Sequence, residues 1–320
     1  MDTIKSEKFR RDLLGMMKET WLADLRRFVA EDHVKMDEPL HLHTLTKMGG
    51  PADIFVAPTT EDEVAYTVKY AYDNDIPLLM LGNGSNMVVR DGGVRGIVLT
   101  FKKLDGIMIN GTTVIAQGGA DIKTVSRAAA DRQLTGLEFA CGIPGSIGGA
   151  MAMNAGAYGG EIQDVIVQAT VLTKEGEKLV LTKDELELGY RKSIITKKGF
   201  YVLASEFGLE IGEQRVIDAK MSDLTFQRES KQPLEFPSAG SVFKRPPGNF
   251  AGKLIQESGL QGKGFGGAEV STKHAGFIVN KNNATANDYI QTIEMVKKAV
   301  FEKFGIDLEL EVKIVGEEMA

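Results

Sequence analysis

Cysteine is almost missing from this chain of 320 residues: Cys141 is the only one, so no intrachain disulfide can form. That usage fits a reducing compartment, and a cytoplasmic location is expected. Histidine occurs four times, at His33, His41, His43 and His274. With one cysteine they cannot build a Cys-rich zinc site. His41 and His43 would point to one side of a strand, but no nearby residue completes a ligand set, so no metal is expected. No apolar run approaches the ~20 residues of a membrane-spanning helix. The first twenty residues carry Asp2, Glu7 and Asp12 and lack the apolar core of a secretory signal. Lys and Arg number 38 against 44 Asp and Glu, a net charge of −6, without basic clusters, which argues against nucleic acid as a partner.

What the chain has in excess is glycine, 36 residues of 320, against a usual share of ~7%. Eight lie in 136–160 and nine in 240–276. Glycine tolerates positive φ and lets backbone amides reach a ligand directly, and turns with successive inward N–H groups bind anions. Two such tracts suggest a phosphate-bearing ligand. The common nucleotide motifs fail, however. Gly248-Asn-Phe-Ala-Gly252-Lys253 has the wrong spacing for a P-loop and no hydroxyl after the lysine. Gly262, Gly264 and Gly267 match G-x-G-x-x-G literally, but no strand precedes them and no helix follows. Gly82-Asn-Gly84 does follow a strand, yet Met87 takes the third glycine position and another strand comes next.

The hydrophobic pattern predicts a helix over 6–30, with Phe9, Leu13, Met16, Met17, Leu25 and Phe28 on its apolar side. Strand 54–57 precedes a helix capped by Thr60, with Glu63 at the capping-box position and Val64, Val68 and Ala71 facing inward. Strands follow at 78–81, 87–89 and 97–101. A hairpin turns at Asn110-Gly111, and another around 174–177. A short helix covers 121–132 and a polar one 212–230. A Pro/Gly-rich loop, 232–248, leads to a short helix (249–257), strands near 268–271 and 277–280, and a helix (286–304) with Ile290, Ile293, Val296, Val300 and Phe304 buried. The chain ends on an alternating strand, 308–314, with Glu309 and Glu311 sharing one face.

Several residues invite a chemical reading. Cys141 among glycines, with His274 as base, is a candidate nucleophile pair, against the plainer reading of a buried thiol. Ser241 sits between glycine turns, but Phe243 breaks the G-x-S-x-G pattern. Between Arg228 and His274, seven basic residues face four glutamates, a local excess of +3 that suits a small polyanion.

Seven segments carry a resemblance in their order along the chain: T-K-M-G-G-P-A-D (46–53), L-G-N-G-S-N (81–86), G-I-P-G-S-I-G-G-A (142–150), N-A-G-A-Y-G (154–159), Y-R-K-S (190–193), S-A-G-S-V-F-K-R-P (238–246) and L-E-V-K-I-V-G (310–316). Together they resemble the UDP-N-acetylenolpyruvoylglucosamine reductases, flavoenzymes of bacterial peptidoglycan synthesis, in the shorter form that lacks an extra substrate loop. The resemblance implies an α+β fold of the vanillyl-alcohol-oxidase (PCMH) type. After an N-terminal helical extension (1–30), FAD-binding subdomains would span 31–101 and 102–211. A substrate-binding subdomain (212–305) and a C-terminal strand (306–320) would follow.

The same resemblance implies bound FAD, NADPH as co-substrate and a UDP-sugar substrate. Arg191 and Glu311 would meet charge on the substrate carboxylate, and Ser241 would supply a proton. Gly82, Asn83, Gly84, Ser85 and Asn86, with Gly142, Pro144, Gly145, Ser146, Gly148 and Gly149, would wrap the FAD pyrophosphate. Arg228 and Lys231 would lie near the substrate. The alternatives are another FAD-dependent oxidoreductase of this fold and a non-catalytic nucleotide-binding protein. The first often carries a flavin-linking histidine, and the glycine loops contain none.

Overall fold

A computed structural model describes the backbone of residues 2–319 and the side chains of residues 12–319. Helix α1 (Asp2–Leu25) opens the chain; the side chain of Phe9 lies outside the described residues. The expected apolar stripe is mostly solvated: Leu13, Met16, Met17 and Phe28 are exposed, while Trp21, Leu22 and Leu25 join the core. A charged clip adds to these contacts. Lys18 lies 3.1 Å from the buried Asp53 carboxylate, which Arg95 approaches to 2.7 Å.

The first sheet is built from β1 (Val34–Pro39), β2 (Pro51–Val56), β3 (Leu78–Met80) and β5 (Val94–Leu99), with α2 (Glu61–Asp73) between β2 and β3 and the short β4 (Met87–Val89) outside it. Its order is β1-β2-β5-β3, antiparallel at β1 and parallel elsewhere. The capping box forms as read: Thr60 Oγ1 accepts from Glu63 N–H, and the Glu63 carboxylate accepts from Thr60 N–H. His41 and His43 do not share a strand. A 3₁₀ turn spans Leu40–Leu42, and His43 instead stacks on Phe55 and bonds Glu38 at 2.8 Å. Among the described residues no cluster could hold a metal ion.

The hairpin β6 (Ile107–Asn110) and β7 (Thr113–Gln117) opens the second unit, followed by α3 (Ile122–Ala130), β8 (Leu134–Thr135) and α4 (Ile147–Met153). A small hairpin, β9 (Gly156–Ala157) and β10 (Gly160–Glu161), then leads through α5 (Ile162–Val165) to β11 (Ile166–Leu172), β12 (Lys178–Thr182), α6 (Ile194–Lys198), β13 (Tyr201–Gly208) and β14 (Glu210–Ile211). The five-stranded antiparallel sheet runs β12-β11-β13-β7-β6, and β14 pairs with β8. Helix α7 (Gln214–Lys231) packs on this unit: Ile217, Met221 and Leu224 cluster with Ala130 and Cys141. The Cys141 sulfur faces the Met221 carbonyl at 3.7 Å and the Thr225 hydroxyl at 3.8 Å. It is therefore a helix-packing thiol, and the Cys141–His274 nucleophile pair does not exist.

The third unit has β15 (Ser238–Ser241), α8 (Ala251–Glu257), β16 (Gly264–Phe265), β17 (Ala268–Val270), β18 (Phe277–Asn280) and α9 (Ala286–Phe304), with sheet order β15-β18-β17-β16. Tyr289, Ile293, Val296 and Val300 form the buried stripe of α9; Ile290 and Phe304 are only half-buried. The glycines at 264–267 are structural. A Cβ on Gly264 would sit 1.9 Å from the Ala268 carbonyl oxygen, and Gly266 has φ +50° against Asp288. They allow a tight hairpin to press on the start of α9, and no ligand is needed to explain them.

Finally, β19 (Lys313–Val315) runs parallel to β4, shorter than the expected strand. Residues 309–311 pair instead with the segment after β15: Glu311 N–H donates to the Val242 carbonyl and Lys244 N–H to that of Glu309, each at 2.8 Å.

Candidate active site

Four distant segments converge on one cleft of about 840 Å³, lined on one side by 156–161, Tyr190 and Arg191 and on the other by residues of 241–276 and Glu311. Arg191, Ser241 and Glu311 all line it. Each owes its place to local structure.

Arg191 sits in a tight turn closed by paired backbone bonds between Gly189 and Lys192, 3.1 Å each. Its φ is +55°, a left-handed conformation that costs a non-glycine residue roughly 1–2 kcal/mol. The start of α6 holds this turn in place. Ser193 caps the helix, accepting from Thr196 N–H, and both the Ser193 and Thr196 hydroxyls donate to the Ala152 carbonyl at 2.8 Å. The turn that carries Arg191 is thus anchored on the end of α4. On its outer side, the Tyr190 hydroxyl accepts from Arg245 N–H at 3.2 Å.

Glu311 and Ser241 come together through the pairing of 242–244 with 309–311. Gly240 has φ +74°, and a Cβ there would face the Ser85 carbonyl. Ser241 is therefore delivered next to the 82–86 loop. The Glu311 carboxyl lies 2.7 Å from Arg191 Nε and is nearly buried. Burial pushes its pKa up and prevails over the opposing pull of Arg191 and Lys244.

The two glycine tracts assigned to the cofactor meet. A Cβ on Gly82 would lie 2.7 Å from Ser146 Oγ, and one on Gly145 would lie 3.6 Å from Ser85 Oγ. Gly84, at φ +62°, passes against Thr44. Among the described residues the N–H groups of 82–86 reach no protein acceptor. In the second tract Gly142, Gly145 and Ser146 likewise keep their amides unengaged. Those of Gly148 and Gly149 are taken by the Gly118 carbonyl and Ser146 Oγ. Ser146 caps α4 from a buried position. Side chains in the first tract look elsewhere. Asn83 donates to Asp121 at 3.2 Å, and Asn86 donates to the Glu311 carbonyl at 3.1 Å. A cradle of free amides at glycine positions fits a diphosphate.

Arg228 is half-buried with its Cδ against Gly142, and burial lowers its pKa. Lys231, at the end of α7, is exposed and does not line the cleft. Sequence reasoning missed Arg245, whose guanidinium lies 3.8 Å over the Phe250 ring on the cleft wall. It also paired His274 with the wrong partner. That ring lines the cleft, accepts from Gly276 N–H at 3.1 Å, and is kept neutral at neutral pH by burial. The local excess of positive charge in 228–274 was the available signal for Arg245.

Known proteins match in the same places. A model of the FAD binding domain matches residues 52–182, and one of the UDP-N-acetylenolpyruvoylglucosamine reductase C-terminal domain matches residues 232–315. The UDP-N-acetylenolpyruvoylglucosamine reductase of Geobacillus thermodenitrificans (strain NG80-2) is 63% identical over 288 residues, 90% of this chain and 95% of the relative. That of Exiguobacterium sibiricum is 60% identical over 303 residues, 95% of this chain and 100% of the relative. Among solved structures, the Thermus caldophilus reductase superposes with a TM-score of 0.77 at 32% identity, covering 88% of this chain and 98% of that one. Phl p 4.0202, a glucose dehydrogenase, reaches 0.50 at 13% identity, covering 61% of this chain and 44% of that one, and shares the fold alone. On this identity and coverage, the chain belongs to the UDP-N-acetylenolpyruvoylglucosamine reductase family, FAD-binding oxidoreductases of the PCMH-type fold.

Proposed function

We propose that this enzyme reduces the enolpyruvyl ether of UDP-N-acetylglucosamine-enolpyruvate to UDP-N-acetylmuramate, with NADPH as reductant, in cytoplasmic synthesis of peptidoglycan precursors. The observation that carries the reading is the meeting of Arg191, Glu311 and Ser241 in one cleft beside the 82–86 loop. Residues 31–101 and 102–211 would hold FAD, and 212–305 with 306–320 would close over the substrate, α7 serving as the connector. FAD, when bound, would supply the hydride-transfer chemistry between NADPH and the enolpyruvyl group. The free amides of 82–86 with those of Gly142, Gly145 and Ser146 would hold its diphosphate.

The chain's own residues handle charge and proton. As C3 of the enolpyruvyl group gains hydride, negative charge gathers at C2 and spreads into the adjacent carboxylate. The Arg191 guanidinium meets that charge, and its strained turn keeps it aimed there without reorganisation. Glu311, whose protonated form burial favours, would donate a hydrogen bond to the same oxygens. Ser241 gives its proton to C2. An alcohol is a weak acid, but the acceptor carbon is a strong base and the geometry is fixed. Arg228, half-buried against Gly142, would favour the phosphates of the sugar nucleotide, whereas Lys231 lies outside the cleft.

Anaerobic mixing separates the two halves of the cycle. NADPH alone is expected to bleach the flavin, and the enolpyruvyl sugar nucleotide to restore its colour. In Ser241→Ala, bleaching persists and recovery slows by roughly 10²–10⁴-fold. NADPH consumption that ignores the sugar nucleotide would overturn the reading. Equal slowing of both halves would remove Ser241 from its role.

A further inference from the structure

We infer that the Asn86 side chain is a positioning residue for Glu311, tying the strand that carries the buried acid to the flavin loop. The inference rests on the catalytic reading above and adds a residue to it. Asn86 ends the 82–86 loop, and its amide is turned away from that loop's free backbone donors. Its Nδ2 donates to the Glu311 carbonyl at 3.1 Å, and its own carbonyl accepts from Lys313 N–H at 3.1 Å. The two bonds bracket Val312, the residue directly after Glu311, from one residue. Immediately beyond, β4 pairs in parallel with β19 from Met87–Lys313 to Val89–Val315, so the bracket closes the open end of a short ladder.

On its other edge the Glu311 segment is held by backbone bonds alone, Glu311 N–H to the Val242 carbonyl and Lys244 N–H to the Glu309 carbonyl, each at 2.8 Å. Asn86 is thus the side chain that fixes the height of Glu311 along the cleft wall. The Glu311–Arg191 contact, 2.7 Å long, depends on that height. An aspartate at position 86 would keep the shape and a leucine the volume, but neither has the donor that the carbonyl oxygen requires.

The test uses the FAD-loaded enzyme and two variants, Asn86→Ala and Asn86→Leu, the latter keeping the volume filled. Losing one such bond is expected to slow flavin reoxidation by the sugar nucleotide roughly five- to tenfold more than flavin reduction by NADPH. A second readout needs no turnover. The Glu311 carboxyl, followed by carbon NMR against a Glu311→Gln reference, should titrate lower in both variants, because a loosened strand admits water. FAD release on ultrafiltration should stay close to the wild type, since the backbone amides of the loop are unchanged. Marked FAD loss, equal slowing of both half-reactions, or an unmoved Glu311 titration in the folded variants would overturn the inference. If the wild-type enzyme itself failed to reduce the sugar nucleotide, the catalytic reading would fall, while the titration would still judge the link between Asn86 and Glu311.

Discussion

Glu309 and Glu311 stand two residues apart, share one face of an extended segment and each pair with a cation. Lys244 holds the first and Arg191 the second. Their surroundings divide them. The Glu309 side chain is 72% exposed at the rim, whereas that of Glu311 is 11% exposed on the cleft wall. An exposed pair is screened by water and contributes little, but a buried carboxyl changes its protonation and with it what it can do. The difference comes from the other side of the cleft. The turn at 189–192 lies over Glu311 and leaves Glu309 bare. Alternation along a strand says which side chains share a face, and only the opposing element says which of them is enclosed.

The strongest way to break this comparison is to remove the buried member. Glu311→Ala is expected to slow the substrate-dependent half-reaction by about 10²–10³-fold, as loss of one preorganised donor at a charged transition state does. FAD content should hold, because the loops proposed to hold the cofactor offer it backbone amides. If Glu311→Ala turned over like the wild type, the buried glutamate would be no more functional than the exposed one.

Much of the fold was legible because it is local. The Thr60–Glu63 capping box, the Asn110-Gly111 turn and the helix over 286–304 are each written within a few residues. The glycine tracts were legible as tight backbone, but not by purpose. Gly82 and Gly145 make room for a partner loop some sixty residues away, whereas Gly264 clears the Ala268 carbonyl on the other strand of its own hairpin. Both kinds follow from a missing Cβ, and the pattern around them is similar. The same limit applies to α1. Periodicity marked its helix, but only packing shows that Leu25 is buried and Met16 is not. For the site, motif resemblance supplied Arg191, Ser241 and Glu311. It could not supply Asn86 as a partner of Glu311, because that bond joins residues 225 positions apart through a side-chain amide that composition does not single out.

A pH titration sharpens the comparison at intermediate cost. Burial raises the Glu311 pKa above its ordinary value near 4.5. The folded state therefore holds this proton more tightly than the unfolded chain. Its contribution to stability is full below the ordinary value and is lost as pH rises through the raised one. The substrate-dependent half-reaction should show a descending limb in the same window, because the hydrogen-bond donor is lost. Glu311→Gln keeps a donor but cannot titrate. It should fall less than Glu311→Ala, lose the descending limb, and flatten the pH dependence of the urea midpoint over that window. A limb that survives in Glu311→Gln would assign the titration to another group.

The smallest effect belongs to the exposed member. Glu309→Gln removes a carboxylate that touches Lys244 across open solvent, and an isolated pair of this kind contributes about 0.2–1 kcal/mol. The backbone bond from Lys244 N–H to the Glu309 carbonyl is untouched by the substitution. The strand pairing that places Ser241 beside Glu311 therefore persists. Turnover should stay within about twofold of the wild type, a barrier change of about 0.4 kcal/mol. The urea midpoint should respond to added salt less than in the wild type, since the lost interaction is one that salt already screens. A large loss of the substrate-dependent half-reaction in Glu309→Gln would mean that the rim charge acts on the substrate as well. Burial by the 189–192 turn would then no longer be what separates the two glutamates.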